Sequence, residues 1–185
     1  MRLLIMGPPG AGKGTQAEFI AREFGIPHVS TGDLFRANLA QGTALGQEAK
    51  KYMDAGEYVP DSVTNGMVRD RLKQSDAQSG FLLDGYPRTV AQVGELDGML
   101  AGKTLNKVIV LTADTHEIVG RLLKRAQEQG RADDTEEVIR RRLEVYEEQT
   151  APLIDLYKNR GLIVQVNGLG AVEEVTQRIM QAISA

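Results

Sequence analysis

The sequence predicts an α/β fold in which helices flank a parallel β-sheet. Five short apolar segments lack the alternation of a half-exposed strand, as strands buried on both faces of a parallel sheet do. Helical segments separate these runs, and parallel strands require such crossover connections. A glycine-rich loop, GPPGAGKGT, joins the first apolar run to the first helix. The 185 residues fit one domain with a well-buried core.

The strands and helices are predicted from local pattern. Strands are expected at Arg2–Met6, Pro27–Val29, Phe81–Asp84, Lys107–Leu111 and Leu162–Val166. The first helix, Gly14–Phe24, carries several apolar residues and is followed by Gly25, a common helix terminator. Further helices are expected at Thr115–Gln129, from Thr135 to about Thr150, and at Glu173–Ser184.

Residues 30 to 71 interrupt the strand–helix alternation. This segment has no strand signal and is mostly helical. Breaks are expected at Gly42, Gly46, Gly56 and Pro60, because glycine and proline interrupt helices. We therefore expect a helical insertion at the edge of the sheet. A short polar loop, Glu128–Asp134, is the second departure from alternation.

Composition excludes several classes of protein. With 22 basic and 25 acidic residues, the net charge is −3, so no basic field favours nucleic acid. The chain has no cysteine and two histidines, which excludes disulfides and makes a zinc site unexpected. No apolar stretch reaches the ~18 residues of a membrane span. The first apolar run is too short for a signal-peptide core, so a cytoplasmic location is expected.

The glycine-rich loop nearly fits the phosphate-binding P-loop template G-x-x-x-x-G-K-[ST]. Gly7, Gly12 and Lys13 match, but Gly14 stands where the Mg²⁺-binding hydroxyl is expected and Thr15 follows one position late. Glycines let backbone N–H groups wrap a phosphate, the helix N-terminus adds a positive dipole, and lysine adds a charge. The alternative is a tight turn with a spare lysine. The loop therefore predicts nucleotide binding.

The segment FLLDGYPR is predicted to place Asp84 and Arg88 at the same rim of the sheet as the P-loop. Ligands of α/β proteins bind beyond the carboxyl ends of the strands. Asp84 resembles a carboxylate that holds Mg²⁺ directly or through water, and Arg88 has the planar fork that grips phosphate. The alternative is a strand-end aspartate bonded to turn amides beside a solvated arginine.

Further charged residues have both a functional and a structural interpretation. In STGDLFR, Asp33 and Arg36 are spaced for an i,i+3 ion pair after the second strand, or for a role at the rim. Phosphoryl transfer needs several cations around the transferred group, and the clustered arginines of this chain can provide them. The alternative is that these arginines form a solvated basic face. These arginines are Arg121, Arg125, Arg131, Arg140, Arg141 and Arg142. Asp133 and Asp134 are candidates to pair with them. His28 and His116 are expected to be structural or exposed.

These motifs together make the chain resemble the adenylate kinases. GPPGAGKGT, STGDLFR, FLLDGYPRT, GRADD and YEEQTAPLIDLY occur in the family's order across essentially the whole chain. The resemblance implies a P-loop nucleoside-monophosphate-kinase fold with a core at 1–29, 60–125 and 135–185. It also implies a nucleotide-monophosphate-binding insertion at 30–59 and a lid at 126–134. The implied reaction is MgATP + AMP ⇌ 2 ADP, catalysed by a monomer without nucleic-acid or membrane partners.

The resemblance also implies roles for individual residues. The catalytic residues would be Lys13, Arg88, Arg121, Arg125, Arg131, Arg142 and Asp84, the last organising Mg²⁺ through water. The ATP site would contain Gly10, Ala11, Gly12, Lys13, Gly14, Thr15, Arg121, Arg125 and Gly170. The AMP site would contain Thr31, Arg36, Glu57, Tyr58, Val59, Gly85, Tyr86, Pro87, Arg88, Gln92, Arg131 and Arg142.

Two departures from the family pattern shape these expectations. Only Ala126–Gly130 separates Arg125 from Arg131, whereas many bacterial members carry a long lid, often with cysteine-bound zinc. A short lid without zinc is therefore expected. Gly170 stands where some members have lysine, so only a main-chain contact with adenine carries over. With Gly14 in place of a hydroxyl, we expect ATP oxygens and water to hold most of the Mg²⁺ coordination.

Three other functions remain open on the sequence alone. The nearest is a nucleoside monophosphate kinase for UMP, CMP or GMP. Thr31 and Gln92 argue against it, because they resemble the adenine-recognising pair of adenylate kinases. A second is a switch that hydrolyses or senses ATP, which needs neither an acceptor site nor clustered arginines. The third is a structural or partner-binding domain.

Overall fold

The computed structural model describes residues 1–131 and 135–185 and contains one five-stranded sheet. Its strands are β1 (Arg2–Met6), β2 (His28–Ser30), β3 (Phe81–Asp84), β4 (Lys107–Thr112) and β5 (Ile163–Asn167). They lie in the order β2-β3-β1-β4-β5, and every neighbouring pair is parallel. The predicted α/β class is confirmed. Strands β2 and β5 lie one residue later than predicted, and β4 is one residue longer.

Helices cover both faces of the sheet. They are α1 (Lys13–Phe24), α2 (Thr31–Ala40), α3 (Ala44–Asp54), α4 (Asp61–Leu72), α5 (Val90–Leu100), α6 (Thr115–Gln129), α7 (Glu136–Val145), α8 (Pro152–Asn159) and α9 (Val172–Ser184). The helix predicted up to about Thr150 is α7 continued by a π-helical turn, Tyr146–Thr150. Helices α5 and α8 are not among the predicted ones. Over the described part of the chain, no helix is long and apolar enough to cross a bilayer.

Adjacent residues of each central strand enter different cores. Leu4 of β1 packs with Leu83 and Leu96 on one face of the sheet. Its neighbour Leu3 packs with Ile20 and other apolar residues on the opposite face. Burying a leucine side chain contributes about 1.5–3 kcal/mol, so both faces stabilise the fold. This double burial explains why the strands lack polar–apolar alternation.

The segment from residue 30 to 71 is helical, as expected, but one of its predicted breaks is wrong. Gly42 lies between α2 and α3, and Gly56 and Pro60 lie between α3 and α4. Gly46, in contrast, is inside α3, where a Cβ atom would come within 2.3 Å of the backbone nitrogen of Leu39. This glycine permits close packing of α3 against α2 rather than ending a helix.

Candidate active site

All of the residues proposed from the sequence for catalysis and for the two nucleotides line one cavity. It lies at the carboxyl edge of the sheet, and its volume is about 1040 Å³. That volume slightly exceeds the ~300–1,000 Å³ typical of a site for one ligand, as expected of a cavity that holds more than one. These residues are Gly10, Ala11, Gly12, Lys13, Gly14, Thr15, Thr31, Arg36, Glu57, Tyr58, Val59, Asp84, Gly85, Tyr86, Pro87, Arg88, Gln92, Arg121, Arg125, Arg131, Arg142 and Gly170.

Lys13 occupies the floor of the cavity at the first turn of α1. Its Nζ donates hydrogen bonds to the carbonyl oxygens of Gly7 (2.9 Å) and Pro8 (3.0 Å), so the lysine folds back over the loop. Burial lowers the pKa of Lys13 to about 8; nearby Asp84 opposes this shift and Arg88 adds to it. Because burial disfavours the ammonium form of Lys13, an anion that enters the cavity would stabilise that form. The position is therefore suited to a phosphate.

Asp84 lies at the end of β3 and is buried, with 8% of its surface exposed. His28 of β2 contacts it, with 3.1 Å between Nε2 and Oδ2. Burial would raise the pKa of Asp84, but the His28 hydrogen bond and the charge of Lys13 outweigh it and hold that pKa below its usual range. Asp84 is therefore an anion in a pocket of cations, which suits it to interact with a metal ion or its waters.

Arg88 is positioned by contacts with three parts of the chain. Its Nε donates to the carbonyl oxygen of Gly85 at 2.8 Å, and its guanidinium carbon lies 5.2 Å from the centre of the Tyr58 ring. Thr150 Oγ1 donates to the carbonyl oxygen of Arg88 at 2.8 Å and lies 2.5 Å from the Tyr58 hydroxyl, which therefore donates to it. The fork of Arg88 is thus held at the boundary between the insertion and the core.

Gly85 shapes the wall next to Arg88. Its φ is 83°, a left-handed conformation that favours glycine. A Cβ atom here would lie 2.6 Å from Thr31 Oγ1 and 2.8 Å from an Arg88 nitrogen. The Thr31 hydroxyl donates to the Gly85 carbonyl oxygen at 2.9 Å. Glycine therefore brings α2 and the β3–α5 loop together around one side of the cavity.

The arginines divide into two groups. Arg121, Arg125, Arg131 and Arg142 line the cavity together with Arg88. Arg140 forms an ion pair with Glu136. Arg141 forms ion pairs with Glu57 and Glu144. The solvated-face interpretation thus fits Arg140, which is exposed, whereas Arg141 is half-buried and connects α7 to Glu57 of the insertion. Asp133 and Asp134, expected to pair with arginines, lie outside the described residues.

Arg36 shows both of its expected features. Its guanidinium contacts Asp33 Oδ1 at 2.7 Å, and the residue also lines the cavity. Such exposed pairs contribute about 0–1 kcal/mol, so a bound phosphate can replace the Asp33 carboxylate as the partner of Arg36.

Comparison with known proteins shows the family of this chain. A sequence model of the family described as adenylate kinase matches residues 5–162. The chain belongs to the adenylate kinase family. It is 68% identical to an adenylate kinase of Nocardioides sp. over 185 residues, covering 99% of this chain and 97% of the relative. An adenylate kinase of Kocuria rhizophila is 62% identical over 184 residues, covering 98% of each chain. One of Thermobifida fusca is 54% identical over 187 residues, covering 100% of this chain and 99% of the relative.

The short-lid form of adenylate kinase expected from the sequence is consistent with these comparisons. Coverage of 97–99% of the relatives' lengths leaves no room for a long additional lid in them. In this chain α6 continues to Gln129, so Arg121, Arg125 and the end of the helix border the cavity directly.

Gly170 of this adenylate kinase family member follows β5 and also borders the cavity. Its φ is 112°, and a Cβ atom here would come within 2.9 Å of Glu174 Oε2. The position favours glycine, so any contact with a nucleotide base would involve its backbone.

His28 is the residue of this site that the sequence interpretation missed. It was expected to be structural or exposed, but it lines the cavity and contacts Asp84. Strand β2 pairs with β3, placing His28 opposite Leu82 and Ser30 opposite Asp84. No local pattern in the sequence indicates which strands are neighbours. His116 is exposed at the start of α6, as expected.

Proposed function

We propose that the protein catalyses MgATP + AMP ⇌ 2 ADP by direct in-line transfer of a phosphoryl group. The main support is one cavity that is lined by the P-loop lysine, by Arg88 and by the further arginines Arg121, Arg125, Arg131 and Arg142. A hydrolytic switch needs no second phosphate site and no such group of cations. Membership of the adenylate kinase family supports the same activity.

In this mechanism the ATP site surrounds the P-loop. Backbone N–H groups of Gly10–Thr15 and the Lys13 ammonium bind its phosphates, while Arg121 and Arg125 approach from α6. The backbone of Gly170 contacts the adenine. These groups position the γ-phosphoryl group and neutralise its charge, which is the main task of a phosphoryl-transfer enzyme.

The AMP site lies on the other side of the cavity. Arg36 and Arg88 hold the AMP phosphate, and Arg131 and Arg142 approach the group being transferred. The nucleoside contacts Thr31, Glu57, Tyr58, Val59, Gly85, Tyr86, Pro87 and Gln92. An oxygen of the AMP phosphate attacks the γ-phosphorus directly, so no protein nucleophile is required.

The residues present fit Mg²⁺ held mainly by substrate oxygens and water. Asp84 is a buried carboxylate, and its Oδ2 would lie 3.9 Å from a Cβ atom on Gly14, so it faces the P-loop. Within residues 1–131 and 135–185, no group of three or more acidic or histidine side chains is arranged to hold a metal. Mg²⁺ commonly binds proteins through one or two carboxylates and several waters. When bound, it would neutralise phosphate charge.

Asp84→Asn tests this role. We expect turnover at saturating ATP to fall about 10- to 100-fold, and half-maximal activity to require more Mg²⁺, because a neutral amide orders metal-bound water less well. Titrating activity with Mg²⁺ at fixed ATP measures both effects. Asp97→Asn, which removes an exposed carboxylate paired with Arg160, is the control. An unchanged Mg²⁺ requirement in the Asp84 variant would remove Asp84 from the metal site.

We further propose that residues 30–59 and the lid at 126–134, of which residues 132–134 lie outside the described part of the chain, close over the two substrates. Glu57 is ion-paired with Arg141 of α7, and Tyr58 bonds to Thr150, so the end of the insertion already contacts the core. Closure would exclude water, which otherwise competes as the phosphoryl acceptor. We also propose that the protein is a monomer located in the cytoplasm and that it is independent of zinc, because the chain has no cysteine to bind that metal.

The choice of acceptor is tested by comparing monophosphates at equal concentration. We expect ADP formation from AMP to exceed the phosphorylation of UMP, CMP or GMP by at least about 100-fold in kcat/KM, because Thr31 and Gln92 border the proposed base site. Faster use of another monophosphate would overturn the assignment of AMP. Hydrolysis of ATP unaffected by AMP would instead support a switch.

A further inference from the structure

Gln92 is held at both ends of its side-chain amide. Its Oε1 accepts a hydrogen bond from the backbone N–H of Arg88 at 2.7 Å, and its Nε2 donates to Asp61 Oδ1 at 2.8 Å. The residue lines the cavity although only 2% of its surface is exposed. Its partner Asp61 is the first residue of α4 and belongs to none of the sequence motifs described above.

The two partners enforce the same orientation of the amide. A backbone N–H can only donate, so it requires the oxygen of Gln92. An ionised carboxylate can only accept, so Asp61 requires the nitrogen. Rotating the amide by 180° would bring two donors together at Arg88 and two acceptors together at Asp61. The side chain keeps one N–H and one oxygen lone pair for a ligand, in a fixed arrangement.

Asp61 is itself held in place by the start of α5. Thr89, the N-cap of this helix, accepts a hydrogen bond from the backbone N–H of Gln92 at 3.2 Å. The Thr89 hydroxyl donates to the Asp61 carboxylate at 3.1 and 3.3 Å. Thr89 and Gln92 fit the T-x-x-Q pattern of a capping box, with Gln92 bonded to the residue before the cap. Gln92 is thus connected to Asp61 in two ways: its side-chain amide bonds to the carboxylate directly, and its backbone N–H bonds to the Thr89 hydroxyl, which donates to the same carboxylate.

The fixed amide distinguishes two purine edges. Adenine presents an acceptor at N1 and a donor at its 6-amino group, whereas hypoxanthine presents a donor at N1 and an acceptor at O6. An amide free to rotate can serve either pattern, but a fixed amide serves one. We propose that Asp61 is a positioning residue that makes the acceptor site select a 6-aminopurine over a 6-oxopurine. This inference rests on the proposed AMP site.

The test compares AMP with IMP in wild-type enzyme and in variants of Asp61. Asp61→Leu removes the acceptor, and we expect the ratio of kcat/KM for AMP to that for IMP to fall about tenfold. The loss is partial because the Arg88 N–H still favours the same orientation. Asp61→Asn can still accept through its oxygen, so its ratio is expected to stay within about threefold of wild type.

The ratio is a sharper measure than activity. Both acceptors are measured on the same enzyme preparation, so a partly unfolded variant changes both rates equally and leaves the ratio unchanged. Should Asp61→Leu not fold, Asp61→Ser replaces it, because serine is too short to reach Gln92. Asp97→Asn removes a carboxylate from α5 that is bonded to Arg160, and is expected to leave the ratio at the wild-type value.

The possible outcomes separate this inference from the proposed function. A ratio that falls in Asp61→Leu or Asp61→Ser but not in Asp61→Asn or Asp97→Asn supports the positioning role. A wild-type ratio in the leucine or serine variant overturns it and leaves the AMP kinase assignment intact. A wild-type enzyme that forms no ADP from AMP overturns the proposed function, and the role of Asp61 with it.

Discussion

Lys13→Met is expected to lower kcat/KM for ATP by about 100- to 1,000-fold, the range found when one charge-stabilising donor is removed. Lys13 bonds to P-loop carbonyl oxygens and is close enough to Asp84 to feel its charge, in the loop where the phosphates of ATP would bind. Methionine has a similar length but no charge. Initial rates at varied ATP measure the loss, and circular dichroism checks the fold. Lys158→Met, at an exposed position on α8, is the control.

The low pKa of Lys13 predicts a pH dependence that the variant should lack. Free enzyme loses the Lys13 charge as pH rises through about 8, so kcat/KM for ATP should decline above that pH. Bound phosphates favour the ammonium and raise its pKa, so kcat at saturating ATP should persist to higher pH. Parallel decline of both parameters near pH 8 would contradict this account, as would turnover unchanged by Lys13→Met.

The same variant should be more stable than wild type at neutral pH. The folded-state pKa of Lys13 is below its ordinary value of 10.5, so folding disfavours the ammonium and this cost is fully present below about pH 8. The cost disappears as pH rises toward 10.5, where the unfolded chain also loses the proton. Lowering this pKa from 10.5 to about 8 corresponds to about 3 kcal/mol, and loss of the hydrogen bonds to Gly7 and Pro8 offsets part of that amount. We therefore expect Lys13→Met to raise the free energy of unfolding by about 1 kcal/mol at pH 7, and by less at pH 10. Urea denaturation at both pH values measures this difference, and a variant less stable at pH 7 would contradict it.

The elements that sequence predicted well are those specified locally. The P-loop, Asp84 and Arg88 each follow directly from an apolar strand, and the common direction of parallel strands places them at one edge. Helix α6 has the predicted bounds because Asp114 caps its start and Gly130 follows its end.

The features that sequence analysis missed depend on contacts between distant segments. His28 meets Asp84 only because β2 pairs with β3, and Asp61 meets Gln92 only because α4 lies beside the start of α5. The sequence predicts a helix break at Gly46, because the actual role of this glycine, close packing on α2, leaves no local signal. Local motifs indicate which residues form the site. Contacts between distant segments then fix how those residues are oriented.

Arg88→Ala is expected to reduce turnover by about 100- to 1,000-fold and to raise the KM for AMP far more than it weakens ATP binding. The guanidinium of Arg88 is held between the Gly85 carbonyl oxygen and the Tyr58 ring, next to the residues assigned to the AMP site. Steady-state rates at varied AMP and binding of ATP by calorimetry separate the two effects.

Arg160→Ala is a matched control for this substitution. Arg160 also stacks on a tyrosine, with 5.4 Å to the centre of the Tyr157 ring, and forms two hydrogen bonds with Asp97. It does not line the cavity, so its loss should leave the KM for AMP unchanged. Arg88→Lys should recover only part of the activity, because an ammonium keeps the charge but lacks the planar fork that binds two phosphate oxygens. If Arg88→Ala weakened ATP and AMP binding equally, Arg88 would have to contact both nucleotides, and the division of the cavity into two sites would be wrong.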